Sequence, residues 1–473
     1  MKYSIIGAGV SGQGLAFLAK RQGAEVFVSE QKNIPDDVKS LFTQNHINFE
    51  EGGNTDKVFE NVDEILISSG IPPKSKILLE AQKRNIKLTG ELDFVLPNIK
   101  TKNLICVTGS NGKSTVTSLI GHILTKAGLK TATGGNLGTA SSTFTQENFD
   151  AVVLELSSFQ LARAEKNFHS RVSIITNLAP DHIDWHGSYE NYVEAKSRVL
   201  KLRDPEGIGI IQDRDFEMLK PEGKIIVLTW DKEPKHKTFG NIFMADDEAF
   251  LTLNGKTELL FKYSDTDLIG SHNLENVAMS LCAMLLCNPF ATGGPLPRIT
   301  GTHCLSACGE VSDLSDGGVI SDVKSLLEGF KPLPHRCELA GIIDGVKYID
   351  DSKGTNVAAT VTAMKSIKGR KVIILGGQGK GEDYTELANA VKSECDFAVL
   401  IGEEAPKIQK SLETAGFENF KNVSTMEDAV KVSHDMAKSG MVVLLSPACT
   451  SWDMYKSYKA RGEHFCKIVK EWK

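Results

Sequence analysis

The sequence has little of what a secreted or membrane protein needs. Its nine cysteines among 473 residues form no Cys-x-x-Cys pair, which argues against a disulfide framework and for a reducing compartment. No run of about 18 apolar residues occurs, so no spanning helix is expected. A short apolar stretch, Tyr3 to Ile6, passes straight into glycines with no small-residue cleavage site, and a cytoplasmic protein is expected. Positive charge is scarce as well: 54 Lys and Arg against 60 Asp and Glu leave a formal charge of -6. That balance is wrong for a general nucleic-acid or membrane-surface binder and confines any anion site to a local pocket.

What is present is a sequence of α/β units. At about 150 residues per domain the length allows two to four domains, and three are expected. The most informative stretch is C-V-T-G-S-N-G-K-S-T, Cys106 to Thr115, set between the apolar run Leu104 to Val107 and the helical pattern Val116 to Leu124. A strand, a glycine loop and a helix opening with a lysine make a phosphate cradle. Gly109 and Gly112 let the backbone approach an anion, Lys113 adds charge, and the Ser114 hydroxyl suits Mg²⁺. The first glycine falls four before the lysine, a shorter spacing than the usual nucleotide loop. A nucleoside triphosphate is the expected guest; a tight turn without a ligand is the alternative.

Two more apolar strands end in candidate ligands. Val152 to Glu155 presents Glu155, and Val172 to Thr176 leads into N-L-A-P-D-H-I-D-W-H with Asp181, His182 and His186. Ligands gather at the carboxyl ends of strands in open parallel sheets, so Glu155 suits the Mg²⁺ held by Ser114. The D-H-x-D-x-H string also permits zinc, although no fourth ligand is near. At the start of the chain, G-A-G-V-S-G-Q-G after a strand, with a second strand ending at Glu30, is a dinucleotide fingerprint. It allows a nicotinamide cofactor or another diphosphate.

The variant T-G-S-N-G-K-S-T resembles the Mur ligases and their folylpolyglutamate synthase relatives, ATP-dependent enzymes that form amide bonds. Taken along the chain, the resemblance implies an α/β protein of three domains: a Rossmann-like domain 1–93, a central P-loop-type ATPase domain 94–331, and a Rossmann-like domain 332–473. It implies that the first domain takes a uridine diphosphate sugar, UDP-N-acetylmuramoyl-L-alanine. Val10, Ser11, Glu30, Gln31, Ser68 and Gly70 would contact it, joined from the central domain by Asn136 of G-G-N-L-G and by Ser157. Ser69 stands where the family has proline.

ATP would meet Gly109, Ser110, Asn111, Gly112, Lys113, Ser114 and Thr115, with Asn276 of G-S-H-N-L-E-N; Asn273 would cap that helix. Arg336 of P-H-R-C-E and Asp351 of Y-I-D-D-S-K-G-T-N also match nucleotide contacts, and Lys353 matches a lysine of the catalytic site. His182 would bind a second magnesium ion or orient an acyl phosphate. On the residues alone Lys196 is a surface lysine; the resemblance makes it carbamylated and, with Ser114, Glu155 and His182, a Mg²⁺ ligand. The usual pattern has Asn at Asp350 and Ala at Gly354.

The ending, S-P-A-C-T-S-W-D-M-Y-K-S-Y, resembles the members that add D-glutamate. Thr355, Lys380, Ser451 and Tyr458 would hold that amino acid, Tyr458 replacing a common Phe and Gln378 a common Asp. Closure of the third domain is expected, and so is a monomer. Residues 288–318, with His303, Cys304 and Cys308, are expected to form a flexible insertion. A nicotinamide oxidoreductase and a non-catalytic sugar-nucleotide sensor remain the competing readings.

Overall fold

A computed structural model describes residues 1–166, 168–245, 247–268, 270–287, 298–299, 319–320, 323–331 and 334–472. His303, Cys304 and Cys308, and residues 288–318 apart from 298–299, lie outside them. The chain divides into two compact units. One comprises Met1–Leu178, Trp185–Thr266 and Asn276–Gly329; the other comprises Ala179–Asp184, Asp267–Glu275 and Phe330–Lys473. The three α/β sheets expected from the sequence are present, two in the first unit and one in the second.

The first sheet runs β3-β2-β1-β4-β5, built from β1 (Lys2–Ile6), β2 (Glu25–Ser29), β3 (Asn48–Glu50), β4 (Glu64–Ile67) and β5 (Lys87–Gly90), all parallel. Ile5, Ile6, Val28, Ile65, Leu66 and Ile67 are buried whichever face they point to, as strands covered by helices on both sides require. Between β1 and the helix Val10–Arg21 the chain turns through Gly7 at φ 98°. A Cβ on Gly12 would sit 1.8 Å from the Gly7 carbonyl oxygen, so the helix reaches the strand only because residue 12 has no side chain.

The second sheet has the order β14-β13-β12-β11-β10-β9-β6-β8-β7. Its parallel part is β6 (Asn103–Thr108), β7 (Thr131–Gly135), β8 (Ala151–Glu155), β9 (Val172–Ile175), β10 (Ile208–Gln212), β11 (Ile225–Thr229) and β12 (Gly240–Ala245). Two antiparallel strands, β13 (Glu248–Leu253) and β14 (Lys256–Lys262), extend the edge. They are joined by the expected Asn254-Gly255 turn, both residues at positive φ, the geometry a two-residue hairpin demands. A short parallel pair follows, β15 (Arg298–Ile299) with β16 (Val319–Ile320).

In the second unit the sheet order is β17-β18-β22-β19-β20-β21. These are β17 (Glu338–Ile343), β18 (Val346–Asp350), β19 (Lys371–Gly376), β20 (Cys395–Ile401), β21 (Phe420–Asn422) and β22 (Val442–Leu445), and β17 alone of the six is antiparallel to its neighbour. Strand β22, last in the chain, pairs with both β18 and β19. The loops leaving the carboxyl ends of these three strands therefore emerge side by side, where α/β sheets collect ligands.

Replacing Gly12 by alanine should cost at least the ~1–3 kcal/mol typical of overpacking, read as a lower denaturant midpoint. Gly9→Ala is the control, since a Cβ there meets nothing within 4 Å, and its midpoint should move far less. Equal shifts for the two variants would contradict this packing.

Candidate active site

In the first unit the turn after β6 is shaped by what surrounds it. Gly109 and Gly112 have φ of 142° and 80°. A Cβ on Gly109 would lie 1.9 Å from Thr176 Oγ1, and one on Gly112 would lie 2.7 Å from Asn276 Oδ1. Asn276 therefore sits against the loop. The Asn177 carbonyl accepts the N–H of Ser110 at 2.8 Å, while its side chain accepts from Asn111 N and donates to Asn111 O, both at 3.0 Å. Ser110 Oγ lies 2.8 Å from the Tyr192 hydroxyl. The helix Lys113–Lys126 starts directly after Gly112, opening with the lysine as the sequence indicates. Lys113 folds back so that its Nζ donates to Ser110 O at 2.8 Å, and Ser114 and Thr115 are buried in the first turn.

Lys196 is not a surface residue. It is 2% exposed, its Nζ donates to Gly109 O at 2.7 Å, and the same ammonium lies 4.8 Å from the Tyr192 ring centroid. As a plain lysine it is a donor beneath the loop, and a cation there cannot itself ligate a metal. The register of β6 with β8 sets Val107 opposite Glu155, so Glu155 stands at a strand end beside the loop. Its Oε1 accepts from Asn136 Nδ2 at 2.7 Å, which brings the expected metal and sugar-nucleotide residues together.

Around the first sheet's glycine turn, Glu30 closes the turn itself: its Oε2 accepts Ala8 N at 2.7 Å and its Oε1 accepts Lys32 N at 3.0 Å. Val10 is 65% exposed at the opening of the helix, and Gln31 and Gly70 are exposed. Burial pushes the Glu91 carboxyl up, with Ser11 first among the groups that draw it down. Two other expected contacts turn inward. Ser68 Oγ donates to Ile6 O at 2.7 Å, and Ser157 caps a short helix in a reciprocal pairing with Gln160.

In the second unit, Asp350 Oδ2 lies 2.7 Å from His335 Nδ1, and its other oxygen takes the N–H of Ser352 at 2.9 Å. Neighbouring Asp351 is raised to about 7 by burial, against the pull of the Ser446 hydroxyl and Arg336; Ser446 Oγ donates to it at 2.6 Å. His272 is lowered to about 4, first by burial and then by Arg336. Lys353 Nζ lies 4.2 Å from the Tyr458 ring centroid, and Lys380 pairs with Asp181 at 3.2 Å. Ser451 Oγ is buried with no hydrogen bond to any described residue, a hydroxyl that suits a polar guest. Arg461 binds the loops together, donating at 3.1 Å to Thr450 O and at 3.0 Å to both Cys449 O and Ser352 O.

Two local expectations need correction. The helix bearing Asn276 begins at Ser271, so Asn273 is its third residue rather than its cap, and its N–H goes to Gly270 O. Residues Ile183–His186 form a short helix instead of a loop. His182, at φ 53°, takes Asp181 Oδ1 on its own N–H at 3.0 Å, while His186 Nε2 lies 3.0 Å from Ser158 Oγ. Among the described residues the cluster of three His, Cys, Asp or Glu side chains close enough to share a metal ion is His335, Glu338 and Asp350.

Models of known families match three segments: a MurD N-terminal domain on residues 2–77, a Mur ligase middle domain on 107–284, and a Mur ligase glutamate ligase domain on 335–449. A UDP-N-acetylmuramoylalanine-D-glutamate ligase of Bacteroides thetaiotaomicron is 34% identical over 471 residues, which is 99% of each chain. The chain belongs to the Mur ligase family. A ligase of the same name from Natranaerobius thermophilus is 34% identical to this Mur ligase over 483 residues, covering 99% of this chain and 97% of the other. Among solved structures, the MurF ligase of Thermotoga maritima in complex with ADP shares the fold, with a TM-score of 0.53 and 16% identity over 94% of both chains.

Thr176, Asn177 and Tyr192, which stitch the loop of this Mur ligase, were not singled out by its sequence. Only Asn177, first residue after a strand, left a trace there. Lys196→Met should leave the Gly109 carbonyl unsatisfied, at ~1–3 kcal/mol of stability, and should weaken ADP in a calorimetric titration. An unchanged ADP isotherm would show that the loop does not rest on Lys196.

Proposed function

We propose that this Mur ligase joins D-glutamate to UDP-N-acetylmuramoyl-L-alanine at the expense of ATP, through an acyl phosphate, as a cytoplasmic monomer making a peptidoglycan precursor. The observation that carries this reading is end-to-end likeness, at 34% identity, to a ligase named for that reaction. We take the domains as 1–93 for the sugar nucleotide, 94–331 for ATP and 332–473 for the amino acid.

Each set of residues has support of its own. Val10, Ser11, Glu30, Gln31, Ser68, Gly70, Asn136 and Ser157 are assigned to the sugar nucleotide. Exposed Val10 and Gln31 offer contact surface, while Glu30, Ser68 and Ser157 act by holding the turns that face the ligand. Gly109 to Thr115 and Asn276 are assigned to the ATP phosphates and base, with Arg336 and Asp351 contributed by the third domain. The cradle fits an anion, because both glycines hold positive φ where a Cβ would strike Thr176 or Asn276. The Ser114 hydroxyl and Glu155 carboxylate, both oxygen donors, suit a hard cation such as Mg²⁺, and His182 is assigned to the metal by the resemblance. When bound, Mg²⁺ would neutralise charge on the phosphates. Lys196 would join that set only as a carbamate.

Chemically, the substrate's alanyl carboxylate is a poor electrophile until it takes the γ-phosphoryl group of ATP. Lys113 is assigned to the charge that moves in that transfer, and Arg336, a delocalised cation, to the same phosphates. The amine of D-glutamate then attacks the acyl carbon. Lys353 is assigned to the oxyanion that forms, and collapse releases phosphate and the amide. Thr355, Lys380, Ser451 and Tyr458 hold the amino acid: Lys380 takes a carboxylate, and Ser451 gains the partner that its buried hydroxyl lacks.

The decisive test is phosphate release from ATP and Mg²⁺ with UDP-N-acetylmuramoyl-L-alanine, comparing D-glutamate with L-glutamate, L-alanine and diaminopimelate. Release with D-glutamate alone is expected, and silence with every acceptor would overturn the reading. The double variant Arg336→Ala, Lys380→Ala should lose about 10²-fold or more of the D-glutamate-dependent rate. A variant that kept the wild-type rate would remove both residues from the assigned roles.

A further inference from the structure

The loop after β19 carries an acid that the reaction above leaves unused. Glu382 stands two residues past Lys380, partly buried, and its Oε2 accepts the N–H of Val357 at 3.0 Å. Val357 opens the helix Val357–Ser366 and lies two residues past Thr355. The Glu382 carboxyl thereby ties the loop that carries Lys380 to the segment that follows Thr355. Asn356 caps the same helix by accepting Ala359 N at 2.8 Å, so Glu382 is not its only partner at the amino end.

The charges facing this carboxyl are Lys380 on its own loop, Asp181, and Glu404, which precedes the helix Ala405–Thr414. Asp383, next in sequence, is exposed and engaged with Thr385. Burial raises Glu382 to about 7, the Val357 N–H and Lys380 pull it down, and Asp181 and Glu404 push it up. A carboxyl so poised is half ionised near neutral pH, where a proton acceptor works best. The amino acid needs one: at that pH it arrives as an ammonium ion, whose nitrogen has no lone pair to attack with.

We propose, resting on the ligase reading above, that Glu382 receives the acceptor's ammonium group and takes its proton. One N–H bond breaks, the proton passes to the carboxylate, and the freed lone pair forms the bond to the acyl carbon. As the C–O bond to phosphate breaks, the departing phosphate keeps that electron pair and takes the second N–H proton, leaving the neutral amide, and Glu382 returns the first proton to solvent. Lys380 and Thr355 orient the amino acid; Glu382 makes it a nucleophile.

Glu382→Gln is a clean test because its amide oxygen can still accept the Val357 N–H. In the full-length enzyme, kcat with D-glutamate should fall about 10²-fold at pH 7, with KM changed far less. The acid limb of the kcat profile near pH 7 should vanish, and Glu382→Asp should restore a limb. Acyl phosphate formation without amino acid, followed by isotope scrambling in oxygen-18-labelled ATP, should proceed as in wild type. A Glu382→Gln enzyme with wild-type kcat and the same acid limb overturns the proposal alone. So does equal loss of scrambling and turnover, the mark of a merely structural residue. A wild-type enzyme silent toward D-glutamate overturns the ligase reading and this proposal with it.

Discussion

The first unit's site depends on three consecutive carbonyls being held from the protein side. Gly109 O accepts from Lys196 Nζ, Ser110 O from Lys113 Nζ, and Asn111 O from Asn177 Nδ2. A peptide plane whose oxygen is pinned has its N–H direction set as well, because the two are rigidly opposed. That fixes the course of the chain into the helix starting at Lys113, whose amino end favours negative charge. Two of the three pins are ammonium groups, and hydrogen bonds from charged donors are the stronger kind. The two glycines permit this shape, and the pins select it.

The second unit solves a similar problem with one guanidinium. Its sheet places the ends of β18, β19 and β22 side by side, yet the loops leaving them would be independent without a tie. Arg461 reaches backbone oxygens of Ser352 after β18 and of Cys449 and Thr450 after β22, while Gln378, after β19, exchanges backbone hydrogen bonds with Thr450. Burial draws Arg461 down to about 10, so it remains a cation at neutral pH. Asp350 adds a second tie through His335.

Much of this was legible in the chain because it is local. A glycine loop between a strand and a helix, an acid ending the second strand and the Asn-Gly turn each announce themselves within a few residues, and the order of the motifs along the chain then indicated the family and the three sheets. What was not legible came from register and burial. Lys196 sits at a helical position that periodicity alone leaves on the surface, and only the packing of its helix under β6 hides it. Tyr192, one turn earlier, has a hydroxyl whose meeting with Ser110 no spacing announces. Ser68 and Ser157 carry the right chemistry for a ligand, but their hydroxyls are turned to Ile6 and Gln160. No sequence pattern shows which way a serine rotates.

The tie made by Arg461 has a thermodynamic meaning. Loops joined through backbone oxygens to one buried side chain lose their conformational freedom when the domain folds, and little of it is left to lose when a small molecule arrives. An amino acid entering between them need not shape its own pocket, so discrimination falls to the groups inside that one guest satisfies and another leaves bare. The Ser451 hydroxyl, buried and with no hydrogen bond to any described residue, is such a group. An acceptor that fails to reach it forfeits the gain that a well-placed carboxylate collects.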